Sequence, residues 1–291
     1  MAGTRRLGFL LLLGLVAAGG AGASDHGDTP LLVSIARHDA RITDLFAFLQ
    51  GSDLVLILDS NPAISTSATD YRFPADLMLA IHIDHDSEVT LDSAQDLAKY
   101  GGTIVRPGEI KEDIVLRFRF DAAGRPILQS SGLPHSTMEP WSLYSGLRDD
   151  PFIRGPQIGK NVAAIVLQLP LSDVLNGQST LLLWATSRVD VVEGPFQDLA
   201  GRSLRSQLPV NDLMNTLRPR EHWTKLGLTP DVMIFDTSRP AGFPNGRLLT
   251  DDVVDLVGVP GVLATDAPFP SENDVPFLAE FPYLAPPHAP H

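Results

Sequence analysis

The stretch DIVLRFRFD, Asp113 to Asp121, alternates apolar and polar residues over its whole length. Successive strand side chains point to opposite faces, so Ile114, Leu116, Phe118 and Phe120 share one face while Arg117, Arg119 and Asp121 share the other. One dry and one wet face is the mark of an antiparallel sheet. Working outward, DLVLILDS (53–60), DLMLAIHID (76–84), VAAIVLQLP (162–170) and TLLLWATS (180–187) are further short apolar or alternating runs, and Leu45, Phe46 and Phe48 belong to another. Pro, Gly, Asp and Asn lie between them. The predicted fold is mainly β: an antiparallel β-sandwich-like domain with a few short helices and an extended C-terminal tail. The helix candidates are TLDSAQDLAKYGG, entered at Asp92 and stopped at Gly101, then PVNDLMNTL and LTDDVVDLVG, with Asn211 and Thr250 as N-caps. From Ala264 onward Pro, Phe and Asp recur without periodicity, which predicts a tail wrapping the domain and frayed from His288.

The other end of the chain bears on its destination. Arg5 and Arg6, the apolar run Leu7 to Ala18 and the small residues Ala21-Gly22-Ala23 form a secretory leader, so residues 1–23 are expected to be removed and 24–291 to fold as one β-rich domain. Arg5-Arg6 also admits the twin-arginine route. The apolar run is too short to span a bilayer, so no membrane span remains after cleavage, and the expected location is periplasmic or extracellular. The chain has 22 basic against 35 acidic residues, a net charge of −13. That excess speaks against nucleic acid and anionic membrane surfaces as partners and suits a binder of cations. Without cysteine there is no disulfide, thiolate metal site or thiol nucleophile.

Several separate stretches carry a resemblance. SDHGDTP (24–30), ITDLFAF (42–48), IHIDHD (81–86), LRFRFD (116–121), GLRDDPF (146–152), GKNVAAIVLQLPLS (159–172), LLWATS (182–187), GRSL (201–204), PNGRLLTDDVVDL (244–256) and FPYLAPPH (281–288) resemble, in order, the bacterial exported domain-of-unknown-function family 4331. The resemblance spans nearly all of the chain after the leader. It implies an exported protein and no particular reaction. The family pattern has an Asp-Asn-Asp-Gly-Asp-like run after the IHID strand. Here the run is Asp84-His85-Asp86-Ser87-Glu88, and the loss of the turn glycine weighs against a tight calcium loop.

The candidate chemistry lies in polar constellations. In His82-x-Asp84-x-Asp86 the spacing of two aligns three side chains opposite Leu79, Ile81 and Ile83; such carboxylates suit calcium, and a histidine moves the preference toward zinc, manganese or iron. A solvated strand face ending in a turn is the alternative. His26 and Asp28 offer two more ligands or an acid/base pair, with Asp44 at the same end of the sandwich; a polar N-terminal arm is the other reading. Arg148-Asp149-Asp150-Pro151 reads first as a structural ion network and otherwise as part of a cation site, and Asn245-Gly246 as a turn. There is no G-x-S-x-G, P-loop, G-x-G-x-x-G or H-E-x-x-H. A b-type haem on Met78, Met138, Met214 or Met233 is disfavoured, because methionine is chiefly core filling.

The combined expectation is a divalent-cation-dependent binding protein with a His/Asp-lined site at one end of a β-sandwich. Calcium is the favoured ion, and the ligand class is a small molecule or glycan. The alternatives are a metal-dependent hydrolase, with His26 or His82 beside a metal-bound water, and a structural or envelope-interaction protein without metal. The residues alone do not decide whether it is an enzyme.

Overall fold

The computed structural model describes residues 29–133, 141–151, 159–202, 211–253, 256 and 271–289, with backbone alone at 63, 211 and 212. The strands are β1 (Ile42–Gln50), β2 (Asp53–Ile64), β3 (Leu77–Asp84), β4 (Val89–Thr90), β5 (Thr103–Ile104), β6 (Ile114–Phe120), β7 (Pro126–Ser131), β8 (Ser142–Asp149), β9 (Asn161–Pro170), β10 (Thr180–Val189), β11 (Asp198–Ala200) and β12 (Met233–Asp236). The α-helices with defined bounds among the described residues are α1 (Pro30–Ser34), α2 (Ala94–Tyr100) and α3 (Pro219–Leu226).

Two antiparallel sheets form the sandwich. One has the order β1-β2-β9-β8; the other runs β11-β10-β3-β6-β7, with β12 beside β11 along the same edge of β10. The alternation read from DIVLRFRFD is the one observed: Ile114, Leu116, Phe118 and Phe120 enter the core between the sheets. Leu79, Ile81 and Ile83 of β3 join them, as do Leu54, Leu56 and Leu58 of β2 and Ile165, Leu167 and Leu169 of β9.

The four-stranded sheet is dry on its second face as well. Phe46, Phe48, Val55, Ile57, Ala164 and Val166 point outward there and are covered by Leu249, Tyr283 and Leu284. This explains why β2 and β9 read as continuous apolar runs rather than alternating ones. The tail does wrap the domain, but it is not frayed at His288, whose backbone N–H donates to Asn161 Oδ1 at 2.8 Å.

Local signals place the helices. Ser93, not Asp92, caps α2 by accepting from the Asp96 N–H, and Gly101 ends it in the left-handed region (φ 85°). PVNDLMNTL yields a 3-10 segment over Asn211–Thr216 instead of an α-helix. Of LTDDVVDLVG, residues 249–253 and 256 are described, with Thr250 in a turn and Val253 and Leu256 helical, and 254, 255, 257 and 258 lie outside the described residues. Helix α3 escapes a periodicity reading, since PREHWTKL has few apolar residues; it is held by His222, buried and bonded to the carbonyls of Met214 and Leu217 and to the Asp231 N–H. No helix among the described residues is long and apolar enough to cross a membrane.

Because the tail supplies the cover for a dry face, Leu284→Ala should act as a core mutation. We expect a loss of about 2–5 kcal/mol in urea unfolding, as for other buried Leu→Ala changes. A loss near zero would mean that the tail is not part of the folded unit.

Candidate functional site

Strand β3 stops at Asp84, and its ending rearranges the expected site. The Asp84 carboxylate is buried and saturated: Oδ1 accepts from the N–H groups of Asp86 (3.0 Å) and Ser87 (2.8 Å), and Oδ2 from Ser87 Oγ (2.7 Å) and the Lys111 N–H (3.1 Å). It is a turn staple that also ties in the loop before β6. His82 goes elsewhere. On the outer face of its sheet its ring stacks on Trp184 (centroids 5.2 Å apart, 3° between planes), and its Nε2 lies 2.8 Å from Thr186 Oγ1. Burial, then the positive charges of Arg117 and Arg218, push the His82 pKa down to about 3, so the ring is neutral. The expected row of His82, Asp84 and Asp86 is therefore not formed, because a period of two holds only while the strand lasts.

The turn brings His85 forward in their place. Its Nδ1 is 3.0 Å from the Val174 carbonyl, which can only accept, so Nδ1 carries a proton and Nε2 is the nitrogen that faces the acids. Nε2 lies 3.8 Å from Asp86 Oδ1 and 3.7 Å from Asp113 Oδ2. Asp113 is set in place by its N–H bond to the Ile83 carbonyl (2.9 Å) and by accepting from the His85 N–H (3.0 Å). Three ligand atoms thus lie within 4.8 Å of one another. These separations are too long for hydrogen bonds, whereas ligands about 2.0–2.2 Å from a tetrahedral ion stand roughly 3.3–3.6 Å apart. Asp86 is half exposed, and a cavity of about 160 Å³ beside it is lined by Asp84, Ser87, Glu88, Arg106, Glu109 and Lys111. Lys111 Nζ, 3.7 Å from Asp113 Oδ1, is the nearby competing cation.

A second group, Asp149, Asp274 and His288, lies where the tail meets β8. Here the atoms stand closer together. His288 Nε2 is 2.8 Å from Asp149 Oδ1 and 3.4 Å from Asp274 Oδ2; Asn273 Nδ2 donates to Asp149 Oδ2, and the Gly159 N–H to Asp274 Oδ2 (2.8 Å). Burial, with Asp274 adding to it against the Asn273 and His288 contacts, pushes Asp149 up to about 7. This arrangement fastens the tail.

Asp44 is not a ligand beside Asp84 and Asp86. It faces outward from the other sheet, where Arg247 Nη1 donates to its Oδ1 at 2.7 Å with both side chains buried. The sequence could not show this partner, 203 residues away. Asp59, directly across from Asp44 on β2, is fully buried, and neither of its oxygens has a hydrogen-bond partner among the described residues. Burial first, and the Asp44 charge second, hold its pKa well above the usual carboxylate range. His26 and Asp28 lie outside the described residues.

His85 and Asp113 are the candidate ligands that the sequence pattern did not single out. A usable signal existed: pairing the alternating LAIHID against DIVLRFRF in antiparallel register sets Ile83 opposite Ile114 and so brings Asp113 beside the turn. No family model, curated protein or solved structure matches the chain.

Asp59 supplies a pH test. With a folded pKa above its unfolded value of about 3.8, Asp59 keeps its proton in the folded state while the unfolded chain loses it, so stability falls as pH rises above about 4. Asp59→Asn keeps the shape and cannot titrate. Its melting temperature relative to the parent protein should therefore climb between pH 4 and pH 8, and a constant difference would contradict the assignment.

Proposed function

We propose that the protein is an exported, divalent-cation-dependent binding protein whose ion is held by His85, Asp86 and Asp113 at the end of β3. The observation that carries this reading is the His85 ring, fixed through Nδ1 on the Val174 carbonyl so that Nε2 faces two carboxylates at 3.7 and 3.8 Å. A histidine whose second nitrogen is anchored on a carbonyl is a common way to orient a metal ligand. One imidazole with two carboxylates suits zinc or manganese better than calcium, which gathers six to eight oxygens. The leader-like residues 1–23 support export, and the resemblance to the exported family 4331 supports the same assignment.

The hydrolase alternative draws on the cavity beside half-exposed Asp86, since a catalytic zinc keeps one position open. The scaffold alternative takes His85 as a cation between two acids.

Thermal unfolding of chelator-treated protein separates these readings. Zinc or manganese should raise the melting temperature more than calcium, because an ion bound only to the folded state stabilises by about 2.7 kcal/mol at a hundred times its Kd. Asp86→Ala should weaken that response at least tenfold with little change in the metal-free protein. Asp84→Ala should instead lower metal-free stability by roughly 1.5–3 kcal/mol, the worth of a hydrogen bond to a charged group. No response to any of the three ions would leave the scaffold reading.

A further inference from the structure

On the outer face of the six-stranded sheet, away from the core, lies a basin of about 150 Å³. Its floor is Ala80 and His82 of β3 with Trp184 and Thr186 of β10, and its walls include Arg117 of β6, Phe196, and Arg218 before α3. The depression exists because Ala80 stands between the longer Met78 and His82 on the same strand face.

Two features of the basin call for a ligand. In a chain with 35 acidic and 22 basic residues, neither Arg117 nor Arg218 lies within ion-pair distance of a carboxylate among the described residues. Arg117 Nη1 donates to Ser131 Oγ at 3.0 Å, and Glu112, exposed on the rim, pairs with neither arginine. The second feature is His82 Nδ1, which is buried without a hydrogen-bond partner among the described residues, although the ring is otherwise fixed by Trp184 and Thr186. The fields of both arginines reach this ring, so the basin is positive inside an acidic protein.

We propose that this basin binds a small planar organic carboxylate, its carboxylate between Arg117 and Arg218 and its ring above Ala80, against His82 and Phe196. Guanidinium groups bind carboxylates through paired N–H donors, and a cavity of about 150 Å³ is the size that holds a single benzene ring. The site is independent of the metal reading, since none of its lining residues is a proposed metal ligand.

Calorimetric titration of the full chain with benzoate, in chelator so that no metal can capture the probe, tests the proposal. Benzoate should bind saturably, while benzyl alcohol, lacking the charge, and acetate, lacking the ring, should each bind at least tenfold more weakly. Arg218→Gln, at an exposed position, should weaken benzoate severalfold, and Arg117→Gln with Arg218→Gln at least tenfold, at unchanged melting temperature. Ala80→Leu, which fills the floor, should abolish binding. Absence of saturable benzoate binding, equal binding of benzyl alcohol or acetate, or unaltered affinity in Arg218→Gln would overturn it.

Discussion

Arg247 fastens the outer layer of the four-stranded sheet. Its backbone exchanges hydrogen bonds with Ala47 of β1 in both directions (2.9 and 3.2 Å), its guanidinium lies 4.2 Å over the Phe46 ring, and its Nη1 reaches Asp44. Such a buried pair adds little net stability over a well-packed apolar pair, yet removing one partner typically costs about 3–5 kcal/mol. Its effect is thus to fix position. Gly246 makes the approach feasible: at φ 68° it sits where a Cβ would come within 2.5 Å of the Ala47 carbonyl oxygen. Asn245 holds the same turn through the Asp236 N–H, so the end of β12 and the face of β1 are tied together by three consecutive residues.

That fastening decides where acids can act as ligands. Covering the outer face of the four-stranded sheet takes Asp44 and Asp59 out of water, and a buried carboxyl is either paired or protonated. Asp44 has Arg247. Asp59 faces the charge of Asp44 and keeps its proton instead. Asp149, at the edge of the same layer, is engaged by the tail through Asn273 and His288. Among the described residues, it is at the open end of the other sheet that a histidine and two acids face one another at the wider spacing.

The strand plan was legible because the core imposes a period of two on its residues. Ile114 to Phe120 and Leu79 to Ile83 carry that period plainly, and their inward faces are those observed. The dry outer face of β2 was less legible as a separate layer. Its cover comes from Leu249, Tyr283 and Leu284, far along the chain and in no regular element. The site failed for a local reason: extrapolating the strand by two residues aligned Asp86 with His82, whereas the turn that Asp84 staples had already redirected the chain. Helix α3 was missed because His222, a polar side chain, supplies its buried anchor.

The same turn accounts for two opposed electrostatic environments in a few residues of sequence. His82 is the last histidine on the regular strand, so it faces outward, against Trp184 and toward the arginines of β6 and of the residue preceding α3. His85 follows the strand end, and its Nε2 meets two carboxylates. Their separation by three residues would place them on opposite faces of a continuing strand. The turn does more, because it carries His85 off the sheet face to the end of the sandwich, where Asp113, the residue just before β6, accepts from its N–H. One imidazole is therefore kept neutral beside cations, and the other sets its Nε2 beside two acids. Asp84, saturated by four donors, is the residue on which that division depends.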